Sequence, residues 1–323
     1  MAFWNRRQAA PPFVTCYGKL PQTGDFIRLS ATGQENVAFD GWLQGSLNLA
    51  RQSLGEAAFL EAYRPSVGLF IYRGDDGDGR AEPSRGLVGA WAASGDSAGR
   101  FYPMVVAASY DYEDMLAAGP ALPLLAWPFL KHAYDLVNNG RGLRVDEFLV
   151  RVGELRPVAI ESPQAARAGY EAFLQQSAAP HFWECTFGTT ATRHAVVHQV
   201  QASVEGFVGR ERPQSGLAVR LPIASADVYA VSVWLDLTSR LARWQRTVSS
   251  AFWCPQHDVV LHPGPPHVAT FRELIAPGEP EHVTDLLAPA PVDEHTARHR
   301  LGSELAAGLD NAPTLAAWLG AIR

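Results

Sequence analysis

Val67-Gly68-Leu69-Phe70-Ile71-Tyr72, then Gly86-Leu87-Val88-Gly89-Ala90-Trp91-Ala92, then Pro103-Met104-Val105-Val106-Ala107-Ala108-Ser109, is the stretch that decides the fold. Each run reads as a β-strand, rich in β-branched and aromatic residues or closely followed by turn residues. Gly74 to Pro83, a segment dense in Asp and Gly, joins the first two and reads as an exposed hairpin loop. It lacks a Glu at the spacing a calcium loop requires. Consecutive strands with short links favour antiparallel pairing, since a parallel return needs a long crossover.

Upstream, Phe13 to Tyr17 reads as another strand after a Pro-Pro pair, and Gly18 to Asp25 as a structured loop. From Asn36 to Leu54, residues Val37, Trp42, Leu43, Leu47 and Ala50 recur roughly on one helical face, with Gly55 placed to cap the helix. A short helix, Ala57 to Tyr63, ends before Pro65. Downstream, Ala121 to Asn138 and Val145 to Val152 read as helices. The order strand-helix-helix-strand-strand-strand-helix-helix predicts an α+β fold: a mainly antiparallel sheet flanked by helices, α-β-α sandwich-like. Gly153 to Pro163 has little periodicity and contains two prolines. It suggests a boundary between a first domain, 1–155, and a second, smaller α/β domain formed from 156–323. In the latter, Ala165 to Gln176, Thr190 to Phe207, Asp227 to Trp244 (with Asp227 as N-cap) and Val268 to Ile275 read as helices. Leu217 to Ile223 reads as a strand, Ala251 to Trp253 with Val259 to Leu261 as a hairpin, and His295 to Ile322 as two helices broken near Pro313.

Composition narrows the function. Of 323 residues, 47% are hydrophobic and 19% charged, a globular balance with ample material for a core. The formal net charge of −6 gives no drive toward phosphate backbones or anionic lipid, and no basic stripe is present, so nucleic acid is not an expected partner. Cys16, Cys185 and Cys254 are odd in number and far apart, the pattern of a reducing compartment. Met1 to Pro12 has no apolar run after its arginines, and Leu122 to Leu130 is short and interrupted by prolines. Neither reads as a signal peptide or membrane insertion, so the expected location is the cytoplasm.

Catalytic signatures are absent. There is no G-x-S-x-G elbow, P-loop, dinucleotide fingerprint or kinase catalytic loop. Asp75-Asp76 and Asp111 to Asp114 read as solvated loop carboxylates. His194 and His198 stand four apart on a predicted helix, a spacing that presents two metal ligands on one face. No Glu follows the first His, so the metalloprotease pattern is not met. Cys254 and His257, with His262 and His267, match no standard zinc spacing. The expectation is therefore no enzyme, no cofactor and no metal. A metal-dependent hydrolase using the His194/His198 face is the alternative.

Gly18-Lys19-Leu20-Pro21 followed by Gly24-Asp25-Phe26 resembles the opening motif of the TagF family. Phe39-Asp40-Gly41-Trp42-Leu43-Gln44 resembles the family's tryptophan-containing helix, with Phe39 where Trp or another aromatic is usual. Tyr63 to Val67, Gly86-Leu87-Val88-Gly89 and Gly99-Arg100-Phe101-Tyr102-Pro103-Met104 continue the match in the same order over the first third of the chain. Between them, Ala92 to Ala98 departs from the family pattern and keeps only its Ser and Asp. The resemblance implies a cytoplasmic accessory protein that represses bacterial type VI secretion after translation, by contact with the system's forkhead-associated scaffold protein. A structural accessory subunit of the apparatus is a further alternative. Lys19, Asp25 and Arg100 are the candidate contact residues. Gly18, Pro21, Gly24, Phe26, Trp42, Gly99, Phe101 and Pro103 are candidate structural positions, with Gly18 and Gly24 expected to tolerate positive φ. Asp25 is expected to lock the loop, or to pair with Lys19 or Arg100.

Overall fold

A computed structural model describes residues 10–74, 84–209, 218–223, 228–244, 247–254, 258–278, 283–285 and 293–322. Its strands are β1 (Phe13–Gly18), β2 (Ile27–Leu29), β3 (Val67–Tyr72), β4 (Arg85–Ala92), β5 (Met104–Asp111), β6 (Ala218–Pro222), β7 (Ser250–Trp253), β8 (Asp258–His262) and β9 (Val283–Asp285). They form one nine-stranded sheet in the order β2-β1-β5-β4-β3-β7-β8-β6-β9. Every pairing is antiparallel except β6 with β9, which is parallel.

The two faces separate by the strand period of two. Along β3, Leu69 and Ile71 enter one core, while Phe70 and Tyr72 enter the other. The aromatic side is covered by α1 (Gln34–Leu54), α2 (Glu56–Tyr63) and α10 (Thr270–Ile275). There the Phe39 ring stacks on Phe70 at 4.5 Å and meets Tyr72 edge-on at 5.0 Å. The opposite side is covered by α3 (Tyr112–Ala118), α4 (Leu122–Asn139), α5 (Val145–Glu154), α6 (Pro163–Gln176), α7 (Ala179–Phe187), α8 (Arg193–Val204) and α9 (Val228–Ala242). The last three helices, α11 (Glu294–Leu301), α12 (Ser303–Asn311) and α13 (Leu315–Gly320), add to that layer. The result is the expected α+β, α-β-α arrangement.

The two segments divided at 155 meet inside this sheet. β3 pairs with β7 through Leu69↔Trp253, Phe70↔Phe252 and Ile71↔Ala251. Above that seam the Trp42 indole stacks on Phe252 at 4.8 Å and donates to the His267 carbonyl at 3.1 Å. The connection between the segments runs from the end of α5 at Glu154 to the start of α6 at Pro163.

Several short elements depart from the sequence reading. Asp111 to Asp114 is not a solvated loop. Asp111 is the N-cap of α3, and its carboxylate accepts from the Glu113 N–H at 3.0 Å. β2 and β9, of three residues each, were too short to show a period, and α7 was not read either. The C-terminal stretch forms three helices, because Gly302, at φ 83°, breaks it between α11 and α12. Asp75-Asp76 and most of their loop, the Asp227 cap and His257 lie outside the described residues.

Phe70 is fully buried where the two segments meet on the aromatic face of the sheet. Phe70→Ala should cost about 3–5 kcal/mol. Thermal unfolding followed by calorimetry should show one transition, shifted as a whole. Two separate transitions, only one of them shifted, would show that 1–155 and 156–323 unfold independently.

Candidate protein-contact site

Gly18 closes β1 at φ 137°, and a Cβ there would fall on the Pro103 carbonyl oxygen and 2.7 Å from Met104 Cα. Only glycine permits this approach, which brings the loop after β1 against the turn before β5. The Ser97 N–H donates to the Thr23 carbonyl at 3.0 Å, and the Ser94 hydroxyl to the Lys19 carbonyl at 2.7 Å. The turn closes on itself: the Asp96 N–H donates to the Arg100 carbonyl, and the Gly99 N–H to the Asp96 carbonyl, each at 3.0 Å. Gly99, at φ 80°, supplies the left-handed position.

At the centre sits the Asp96 carboxylate, whose side chain has no solvent exposure. Its Oδ1 accepts from the backbone N–H of Ala98 at 3.0 Å and of Arg100 at 2.9 Å. Its Oδ2 accepts from Arg100 Nε at 2.7 Å and from Lys19 Nζ. Arg100 Nη2 then reaches the Gly24 carbonyl at 2.7 Å. The hydrogen bond from Lys19, helped by those from Arg100, holds the Asp96 carboxyl well below its ordinary 3.8, against burial, which pushes it up.

This geometry changes the roles read from sequence. Lys19 and Arg100 are brought together, but through Asp96 rather than Asp25. Asp25 is exposed and has no ion-pair partner among the described residues; its N–H bonds the Thr23 hydroxyl at 3.1 Å. Gly24 does not take positive φ. The Lys19 side chain is only 12% exposed, while that of Arg100 is 64% exposed. Pro21 is exposed and Pro103 buried. Phe101 packs edge-on against Tyr63 at 6.2 Å.

A second shared carboxylate lies next to the first. Asp40 accepts from the Tyr102 hydroxyl and pairs with Arg28 at 3.3 Å. Burial first, then that hydrogen bond, pushes the Tyr102 phenol well above its ordinary value. Phe26 meets Tyr102 edge-on at 5.1 Å, and the Arg28 guanidinium lies 5.3 Å from the Phe26 ring centre. The surface therefore presents the guanidiniums of Arg28 and Arg100, the Phe26 ring and the Asp25 carboxylate. The carboxylates of Asp40 and Asp96 lie beneath. Sequence reading missed Asp96, Asp40 and Arg28 as members of the site. The signal for Asp96 was present, as one of two family residues kept in an otherwise divergent turn.

Three of the histidines named above, His194, His262 and His267, are spent on internal bonds. His194 is buried, with Nδ1 on Glu294 and Nε2 3.3 Å from Asp310. The same Glu294 carboxylate accepts the N–H of His194 at 3.2 Å and of Ala195 at 3.1 Å, capping the start of α8. His262 bonds the Thr270 hydroxyl at 3.0 Å, and His267 Nδ1 accepts the Ala269 N–H at 3.1 Å. Burial pushes the Cys254 thiol up to about 12. Among the described residues, no three His, Cys, Asp or Glu side chains converge as a metal ligand set.

Asp96→Asn and Lys19→Ala should each lower the melting temperature, because each leaves buried charge or buried donors uncompensated. The folded pKa of Asp96 is depressed, so its contribution is present above the ordinary value of 3.8 and is lost as pH falls through the folded value. The margin between wild type and Asp96→Asn should be equal at about pH 7 and about pH 5 and shrink below about pH 4. A margin that grows on acidification would contradict this assignment.

Residues 15–155 match the TagF N-terminal domain, type VI secretion system-associated. No curated protein matches the chain. Among solved structures, the crystal structure of PA0076 from Pseudomonas aeruginosa PAO1 is similar at 17% identity and a TM-score of 0.49, over 83% of this chain and 96% of that one. The segment that holds both shared-carboxylate clusters thus belongs to the TagF N-terminal domain family, and the chain carries that type VI secretion system-associated domain over residues 15–155.

Proposed function

We propose that the protein is a non-enzymatic, cytoplasmic regulator that represses a type VI secretion system after translation, by direct contact with the system's forkhead-associated scaffold protein. One observation carries the reading. The most family-like segments, the loop after β1 and the turn before β5, are folded into one surface whose buried side is hydrogen-bonded and whose outer side presents Asp25, Phe26, Arg28 and Arg100. A surface held in place before binding loses little conformational entropy on association. Arg100 and Asp25 are the contact residues; Lys19 supports them from beneath. Among the described residues, no helix is long and apolar enough to cross a membrane.

The metal-dependent hydrolase reading needs His194 free to ligate, whereas His194 is engaged by Glu294 and Asp310. Stoichiometric zinc in purified protein would favour it. A structural accessory subunit would sediment with the assembled apparatus, whereas a regulator would remain mostly in the unsedimented fraction.

Arg100→Ala and Asp25→Ala should keep the wild-type fold and weaken capture of the forkhead-associated protein by about tenfold each, a loss of about 1.4 kcal/mol. Arg100→Ala should lower the melting temperature only slightly, since Lys19 and the backbone N–H groups still hold Asp96. Unchanged affinity in both folded variants would remove this surface from the interface.

A further inference from the structure

We propose that the C-terminal half contains a binding site for a small organic anion, in the open cavity lined by α8, the end of α9 and the α11–α12 corner. The assignment does not depend on the regulatory reading above, since none of the lining residues belongs to the 15–155 domain.

The cavity measures about 700 Å³, within the range of small-molecule sites. Two arginines line it, Arg243 and Arg300, and neither has a carboxylate partner among the described residues. Both are exposed, so their charge is directed to the cavity and solvent rather than spent inside the fold. Arg243 is held at φ 54°, a left-handed conformation that a non-glycine side chain rarely adopts. That position ends α9, where the Trp244 N–H bonds the Ser239 carbonyl at 3.0 Å. His198 also lines the cavity, and its Nδ1 is buried without a hydrogen-bond partner. Burial first, then the nearby Arg300, hold the His198 imidazole below its ordinary value.

The corner between α11 and α12 adds to this field. Gly302 turns the chain at φ 83°, and α12 starts at the cavity wall with no side chain capping its first turn. Open N–H groups at a helix start favour an anion. Leu241, Leu301 and Ile322 supply an apolar wall, which suits an organic body attached to the charged group. Glu205 and Glu304 also line the cavity and oppose an anion, so removing one gives a test with the opposite sign.

The experiment is titration of the full chain with phenyl phosphate, read by calorimetry and by the His198 ring resonances, with phenol as the uncharged comparison. Phenyl phosphate should bind saturably in the sub-millimolar range and shift the His198 signals, and phenol should not. Arg243→Gln and Arg300→Gln should each weaken binding by about tenfold without moving the melting temperature, and Glu304→Gln should tighten it. Failure of phenyl phosphate to saturate would overturn the site. So would wild-type affinity in both arginine variants, or equal binding of phenol. None of these outcomes touches capture of the forkhead-associated protein, so this proposal and the regulatory one fail separately.

Discussion

A strand buried on both faces and paired along both edges leaves no freedom to what surrounds it, and β3 is such a strand. Five of its six residues are buried, β4 lies on one edge and β7 on the other. Unpaired backbone groups in that interior would carry a large desolvation penalty, so both neighbours are required. Its side chains alternate between the two cores, so both helix layers are required as well. Phe70 is the focal point: its ring is stacked by Phe39 from the first segment and lies 6.4 Å from Phe252 of the second. The last four strands therefore extend the first sheet instead of forming a separate one.

At the far side of the sheet a different constraint operates. A carboxylate without solvent contact must be matched by donors, and Asp96 receives four: two backbone N–H groups, Lys19 and Arg100. That full set of partners makes a polar loop surface rigid without a covalent link. It also sorts the charged residues by role. Lys19 is spent on the interior, Arg100 serves the clamp with one edge of its guanidinium and remains largely exposed, and Asp25 is exposed with no ion-pair partner among the described residues. Asp40 repeats the device with Tyr102 and Arg28, and so holds the Arg28 guanidinium beside the Phe26 ring.

The C-terminal half uses its charges in two contrasting ways. Around His194 they are matched inward: Glu294 caps α8, while Asp310 takes Arg193 at one oxygen and Arg298, at 2.6 Å, at the other. One turn further along α8, at His198, the matching stops and the cations face a cavity. The same i, i+4 spacing that suggested paired ligands thus places one histidine in a satisfied network and the other at an open wall.

What the sequence by itself determined was local. The runs at 67–72, 86–92 and 103–109 carry enough β-branched and aromatic residues to show as strands. The spacing of Trp42, Leu43 and Leu47 shows a helix, and glycines mark the corners. β2 and β9, of three residues each, escaped because a period cannot be recognised in so short a window. The motif residues were legible as a set, yet their partners were not. Asp25 and Asp96 are both loop aspartates near a glycine, and nothing local distinguishes them. Only the antiparallel register of β1 with β5, which pairs Cys16 with Val106 and Tyr17 with Val105, delivers the turn before β5 onto the loop after β1. That register brings Asp96, not Asp25, beneath Lys19. Periodicity is written in neighbouring residues, but the choice of a partner 77 residues away depends on strand pairing and burial, which exist only once the chain has folded.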